Sequence, residues 1–226
     1  MDFLIVFVVS IVAVFALRNP IKKAPVVFYA LAIAAVALLF LGSSGLLGSW
    51  WRPVVLLVQR CMIALALFAI VMFIGMLPEG SKAKSWLRPI RAEVSIVAWI
   101  LCLGHMCVYV IPYAQRAVSG AMETSMLFSL CIAAILFVLL LLLGVTSFNF
   151  VKKRISSGTW KNIQRWAYPF FALVFVHLLL MLAPAALRGG KQAQISIAIY
   201  ATVFTVYVVL RLYRAHKERA LAKTEG

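Results

Sequence analysis

The chain has 226 residues, 65% of them hydrophobic and only 12% charged, with a mean hydropathy of +1.05. A soluble domain has no way to bury that much apolar surface, so the composition excludes one and requires a bilayer. The formal net charge of +16 does not point to nucleic acid, because the basic residues fall in short clusters between apolar runs, as membrane loops do.

Apolar runs of about 20 residues predict a bundle of about seven transmembrane helices, an all-α integral membrane protein. The runs cover residues 3–17, 25–41, 54–77, 94–113, 125–145, 166–187 and 194–212. The first is short. Its acidic start at Asp2 and its exit through Arg18 and Pro20 lack signal-cleavage chemistry and read as a retained anchor. Gly42, Gly45 and Gly48 read as a flexible outer loop. Pro20, Pro25, Pro53, Pro78, Pro89 and Pro112 are expected at span ends, where a missing N–H costs least, and Pro169 in a first turn. Trp50 and Trp51 at one edge, with Trp86, Trp160 and Trp166 at the other, fit interfacial aromatic belts. Cys61, Cys102, Cys107 and Cys131 lie inside apolar runs without zinc spacing or a C-x-x-C-H signature, and read as packing residues.

Loop charge predicts the orientation. With the N-terminus outside, seventeen lysines and arginines lie inside, among them Arg18, Lys84, Arg91, Lys153, Arg165 and Arg214. Four lie outside (Arg52, Arg116, Arg188 and Lys191) and Arg60 falls within a span. The bias places the C-terminus in the cytoplasm of a bacterial inner membrane.

Three histidines occur, and two of them, His105 and His177, sit alone in apolar spans. Both spans begin at basic loops and so run in the same direction. His105 lies 14 residues beyond Arg91 and His177 lies 12 beyond Arg165, about 21 and 18 Å along their helices. Imidazoles at one depth on parallel helices suit the two axial ligands of one haem b. The bland alternative is that each ring only hydrogen-bonds a nearby carbonyl. Arg60, about 10 Å into its span by helical rise, is either a partner for haem propionates or a snorkelling surface cation. Tyr109, one turn past His105, and Trp99 are candidate pocket walls; Met106 and Met181 read as filler. His216, among Arg214, Lys217 and Arg219, reads as solvated. The acids Asp2, Glu79, Glu93, Glu123, Glu218 and Glu225 all lie at or beyond span ends, which excludes a carboxylate relay inside the bilayer.

Two stretches carry a family resemblance. Arg91 to His105 reads RAEVSIVAWILCLGH, an arginine-led helix ending in a histidine; Thr146 to His177 reads TSFNFVKKRISSGTWKNIQRWAYPFFALVFVH. They resemble the ferric-reductase-like transmembrane domain family, nearest to the haem-binding membrane subunit of the periplasmic methionine sulfoxide reductase system. The resemblance covers residues 54–212 as a five- to six-helix haem-binding core, with extra spans in 1–53 and a basic tail in 213–226. It implies electron transfer, from a quinol or a flavoprotein donor, toward an exported reductase or ferric iron that completes the reaction. It also implies one haem b, since a second, inner haem would need imidazoles near Arg91 and at Gln164; those two residues then line a vacated inner site, open to FMN or a quinone. On the residues alone, a haem-free scaffold or assembly factor and a small transporter remain open.

Overall fold

The computed structural model describes residues 3–44 and 51–224, and among these every regular element is helical. In chain order they are α1 (Phe3–Ala16), α2 (Arg18–Lys23), α3 (Pro25–Ser43), α4 (Arg52–Gln59), α5 (Met62–Ile74), α6 (Lys82–Leu87), a 3-10 turn (Arg88–Ile90), α7 (Arg91–Val118), α8 (Thr124–Val145), α9 (Asn149–Lys152), α10 (Ser157–Arg165), α11 (Ala167–Leu187) and α12 (Lys191–Thr224). Five of the described helices are long and apolar enough to cross a membrane, or six if the bent pair α4–α5 makes one span. The protein is therefore a multi-pass, all-helical membrane bundle. α1, at 14 residues, is about 21 Å long and falls short of a 30 Å hydrocarbon core.

Local chemistry sets the helix ends. Ser81 caps α6 by accepting from the Lys84 amide at 3.3 Å, and Ser156 caps α10 by accepting from Thr159 at 3.1 Å. Pro25 opens α3, where its missing N–H leaves nothing unsatisfied. The turns joining α7 to α8 and α11 to α12 pass through Gly120 and Gly189 at φ +69° and +85°, a region that a side chain disfavours.

Three apolar clusters hold the bundle. One joins α1, α3, α5 and α7 around Leu39, Ile90 and Ala98; a second joins α1, α5, α11 and α12 around Ala66, Phe171 and Tyr207; a third joins α7, α8 and α11 around Leu140 and Phe170. The helix backbones approach closely where glycine allows. A Cβ on Gly104 would sit 2.6 Å from Val36, and one on Gly144 would sit 2.1 Å from the Trp99 indole. No more than 28% of any long span is buried. Phe128, Val138 and Val26 stay more than 60% exposed, a surface that only lipid can cover.

Four expectations need correction. The run at 54–77 is not one straight helix: α4 and α5 meet at 49°, with Cys61 between them at φ +58°. Gly42 belongs to α3 and is packed, since a Cβ there would fall 2.6 Å from Val55; Gly45, Gly48 and Trp50 lie outside the described residues. Pro112 lies inside α7, which continues to Val118. Beyond 212 the chain stays helical, α12 running 34 residues, about 50 Å.

The starts of α7 and α11 lie at the same end of the bundle, because Arg91 and Tyr168 line one cleft there with Tyr207 and Arg211 of α12. The basic segments converge on this end. Arg18 donates to the Trp86 carbonyl at 2.8 Å and stacks on its ring, and Glu79 bridges Lys84 and Arg214.

Candidate haem site between two helices

His105 is placed by a defect in a neighbouring helix. In an unbroken α4–α5 the Gln59 carbonyl would accept from Ile63. The left-handed turn at Cys61 ends that ladder: the Cys61 amide donates back to Val58 at 2.9 Å, and the ladder resumes from the Cys61 carbonyl to Leu65. The Gln59 carbonyl is left over, and His105 Nδ1–H donates to it at 2.5 Å. A carbonyl can only accept, so the proton sits on Nδ1 and Nε2 keeps its lone pair. The Tyr109 ring lies beside the imidazole, centroids 5.0 Å apart.

His177 is held from α8. Ser129 Oγ lies 2.9 Å from its Nδ1 and the Ser129 carbonyl 3.2 Å. The carbonyl again puts the proton on Nδ1. Ser129 is 1% exposed, so its hydroxyl has to find its partner within the protein. Neither imidazole makes a hydrogen bond through Nε2 among the described residues.

The two rings sit on helices that make little direct contact. α5 packs along α7, α8 packs along both α7 and α11, and Phe68 of α5 meets Phe170 of α11. α7 and α11 are thus braced apart, yet His105 is within electrostatic range of His177. Both imidazoles are only half-buried. The two free Nε2 lone pairs are the donor type that a bis-imidazole haem takes, its porphyrin supplying the other four iron ligands. Among the described residues no group of three or more His, Cys, Asp or Glu could hold a bare metal ion.

The other expected residues divide. Arg60 is exposed, at the C-terminus of α4 where the helix breaks, rather than within a continuous span, and is in electrostatic range of Tyr109 and Tyr200. Gln164 Nε2 donates to Thr146 Oγ1 at 3.0 Å, beside Trp160, whose indole donates to the Thr146 carbonyl at 3.0 Å. Arg91 lines the basic-end cleft, which Gln164 does not line. Trp99 packs on Gly144 with its indole nitrogen buried and unpartnered among the described residues. His216 is exposed on α12.

A family model described as the ferric reductase like transmembrane component matches residues 60–175, about half of the chain, including His105 and ending two residues before His177. The chain belongs to that family. Membership in the ferric reductase-like family supports a membrane electron-transfer role, and its members generally bind haem. A protein of Treponema pallidum (strain Nichols), described as an uncharacterized protein, is 34% identical over 226 aligned residues. The alignment takes in 96% of this chain and 61% of that relative, so the chain spans less than two thirds of its length. No solved structure matches the chain.

Sequence reasoning missed Ser129 and the Gln59 carbonyl. Ser129 left a trace, as a hydroxyl inside the run MLFSLCIAAIL. The carbonyl left none, because neither Gln59 nor Cys61 marks a helix break by composition.

Proposed function

We propose that this protein is a haem b electron carrier in which His105 and His177 ligate one iron from opposite sides and pass electrons toward the extracytoplasmic face. The observation that carries the reading is the matched state of the two rings. Each Nδ1–H is committed to a protein acceptor, and each Nε2 lone pair is left over on a helix held away from the other. Hydrogen bonding at Nδ1 fixes tautomer and ring angle and raises the basicity of the coordinating nitrogen. A bound haem would supply a one-electron couple at low cost in nuclear rearrangement. Tyr109 would close one flank, and Arg60, exposed at the helix break, is the candidate partner for propionates.

The ferric reductase-like core is taken as residues 54–212, between an N-terminal extension in 1–53 and a basic segment in 213–226. The charge asymmetry supports a bacterial inner-membrane placement with the N-terminus outside and the basic end in the cytoplasm. His105 stands about 21 Å along α7 from Arg91, a long path for a soluble flavoprotein waiting at the cytoplasmic surface. A quinol in the bilayer, or a flavin such as FMN held toward the basic end, shortens that path. The acceptor is an exported reductase or ferric iron.

A redox difference spectrum of purified wild type beside His105→Ala and His177→Ala tests the ligands. Each substitution is expected to abolish the low-spin haem signal, while His216→Ala keeps it. Colourless wild-type protein, or a spectrum that survives both substitutions, overturns the reading. Fast reduction by a soluble flavin reductase alone would remove the quinol as donor.

A further inference from the structure

The basic end of the bundle holds a cleft of about 250 Å³ between α5, α7, α11 and α12. Its walls include Arg91, Tyr168, Tyr207, Arg211, Arg214 and the backbone at Gly75. Arg214 is a fixed wall: Nη1 donates to the Gly75 and Leu77 carbonyls at 2.6 and 2.7 Å, and Nη2 to Glu79 at 2.6 Å. Arg211 lays its guanidinium over the Tyr168 ring, 4.9 Å from the centroid, which occupies its flat face and leaves its N–H edge available. Among the described residues Arg91 has no ion pair or hydrogen bond. Tyr207 is 5% exposed, and among the described residues its buried hydroxyl has no hydrogen-bond partner. Among the described residues no carboxylate lines the cleft, and Glu79 nearby bridges Lys84 and Arg214.

A buried phenol left without a partner is costly, and guanidinium groups gathered without an anion repel one another. Both are relieved by one small anion with several acceptor oxygens. Guanidinium groups can only donate, and the phenol can donate as well. The donors, Arg91 of α7 and Arg211 and Tyr207 of α12, come from two helices and outnumber what one edge of a planar carboxylate takes, which suits an oxyanion with several acceptor oxygens.

We infer that this cleft binds a phosphate group, carried either by an anionic phospholipid head or by a soluble phosphate ester. Arg91 and Arg211 hold its charge and Tyr207 donates to one oxygen. The inference goes beyond electron transfer and does not rest on haem, since binding is scored whatever the haem content.

The test uses the full chain, delipidated in an uncharged maltoside detergent, with thermal unfolding followed while inorganic phosphate or phosphatidylglycerol in mixed micelles is titrated. A saturable rise in Tm with at least one probe, absent with sodium chloride at matched ionic strength, is expected. A response to phosphatidylglycerol alone assigns a lipid head; a response to inorganic phosphate assigns a soluble ester. In either arm the double variant Arg91→Gln/Arg211→Gln should weaken apparent affinity about tenfold or more, as loss of charge-assisted bonds does. Tyr207→Phe, which keeps the packed ring, should weaken it about threefold, as loss of one neutral donor does. Lys153→Gln/Arg154→Gln removes two charges elsewhere and should change nothing. No response to either probe, or equal weakening in both double variants, overturns the inference.

Discussion

The two histidines are held by different parts of the molecule. His105 donates to a backbone carbonyl that a break between α4 and α5 has released. His177 faces a side-chain hydroxyl, with the same residue's carbonyl behind it at 3.2 Å. The first seat depends on chain path, and the side chain at 59 enters it only through a hydrogen bond with Tyr109, whose ring lies beside the imidazole. The second can be halved by deleting one oxygen. Two imidazoles alike in sequence setting thus have unlike vulnerabilities, and substitutions can separate them.

The largest effect is expected at the break itself. Cys61→Val places a β-branched side chain at φ +58° and should destabilise the protein by about 1–2 kcal/mol. Cys61→Gly relieves the same strain and should stabilise by roughly 0.5–1 kcal/mol. Denaturant unfolding in detergent measures both, and equal stability of the two variants would show that the left-handed turn is not where the strain lies. Haem retention should fall with Val and persist with Gly.

Next comes Ser129→Ala. It leaves His177 with only the longer carbonyl contact, so it should cost about 1 kcal/mol of stability and about tenfold in haem affinity. Haem transfer to apomyoglobin reads the affinity directly. Gln59→Ala keeps the backbone acceptor and loses only the Gln59–Tyr109 hydrogen bond, so it should cost about 0.5 kcal/mol, less than Ser129→Ala. A Gln59→Ala defect as large as that of Ser129→Ala would erase the contrast between the seats.

The smallest effect belongs to the basic end. The hydrogen bond from Lys84, then that from Arg214, hold the Glu79 carboxyl below its ordinary 4.5. A depressed pKa means that the folded state favours the ionised form. The stabilisation is therefore fully present above about pH 4.5 and fades as pH falls through the lowered value. Glu79 is exposed, so salt should weaken the effect. Unfolding midpoints from pH 6 to 3 should show an acid loss that Glu79→Gln removes; an identical acid profile in the variant would assign it to another group.

Composition made the membrane class legible, and the paired histidines made the haem hypothesis legible, because an imidazole in hydrocarbon demands an explanation. Charge clustering anticipated that Arg18, the loop around Lys84 and the end of α12 would meet at one face. The break at Cys61 was not legible: Gln59 and Arg60 just before it are as compatible with a continuous span as with a bent one, and hydropathy is blind to backbone direction. The cleft was missed for another reason. Tyr207, Arg211 and Arg214 are spaced to share one helix face, but the partners that make that face a pocket, Arg91 and Tyr168, come from helices far away in the chain.

The corner at Cys61 and the imidazole it serves are bound to each other's fate. Were the ring lost, a naked peptide oxygen would face lipid, at a penalty of several kcal/mol, and the chain would gain by straightening. Were the corner straightened, the ring would lose its acceptor. The corner at Cys61 and the ring at His105 are thus locked into joint inheritance, and descendants of this scaffold that abandon one should be found to have abandoned the other.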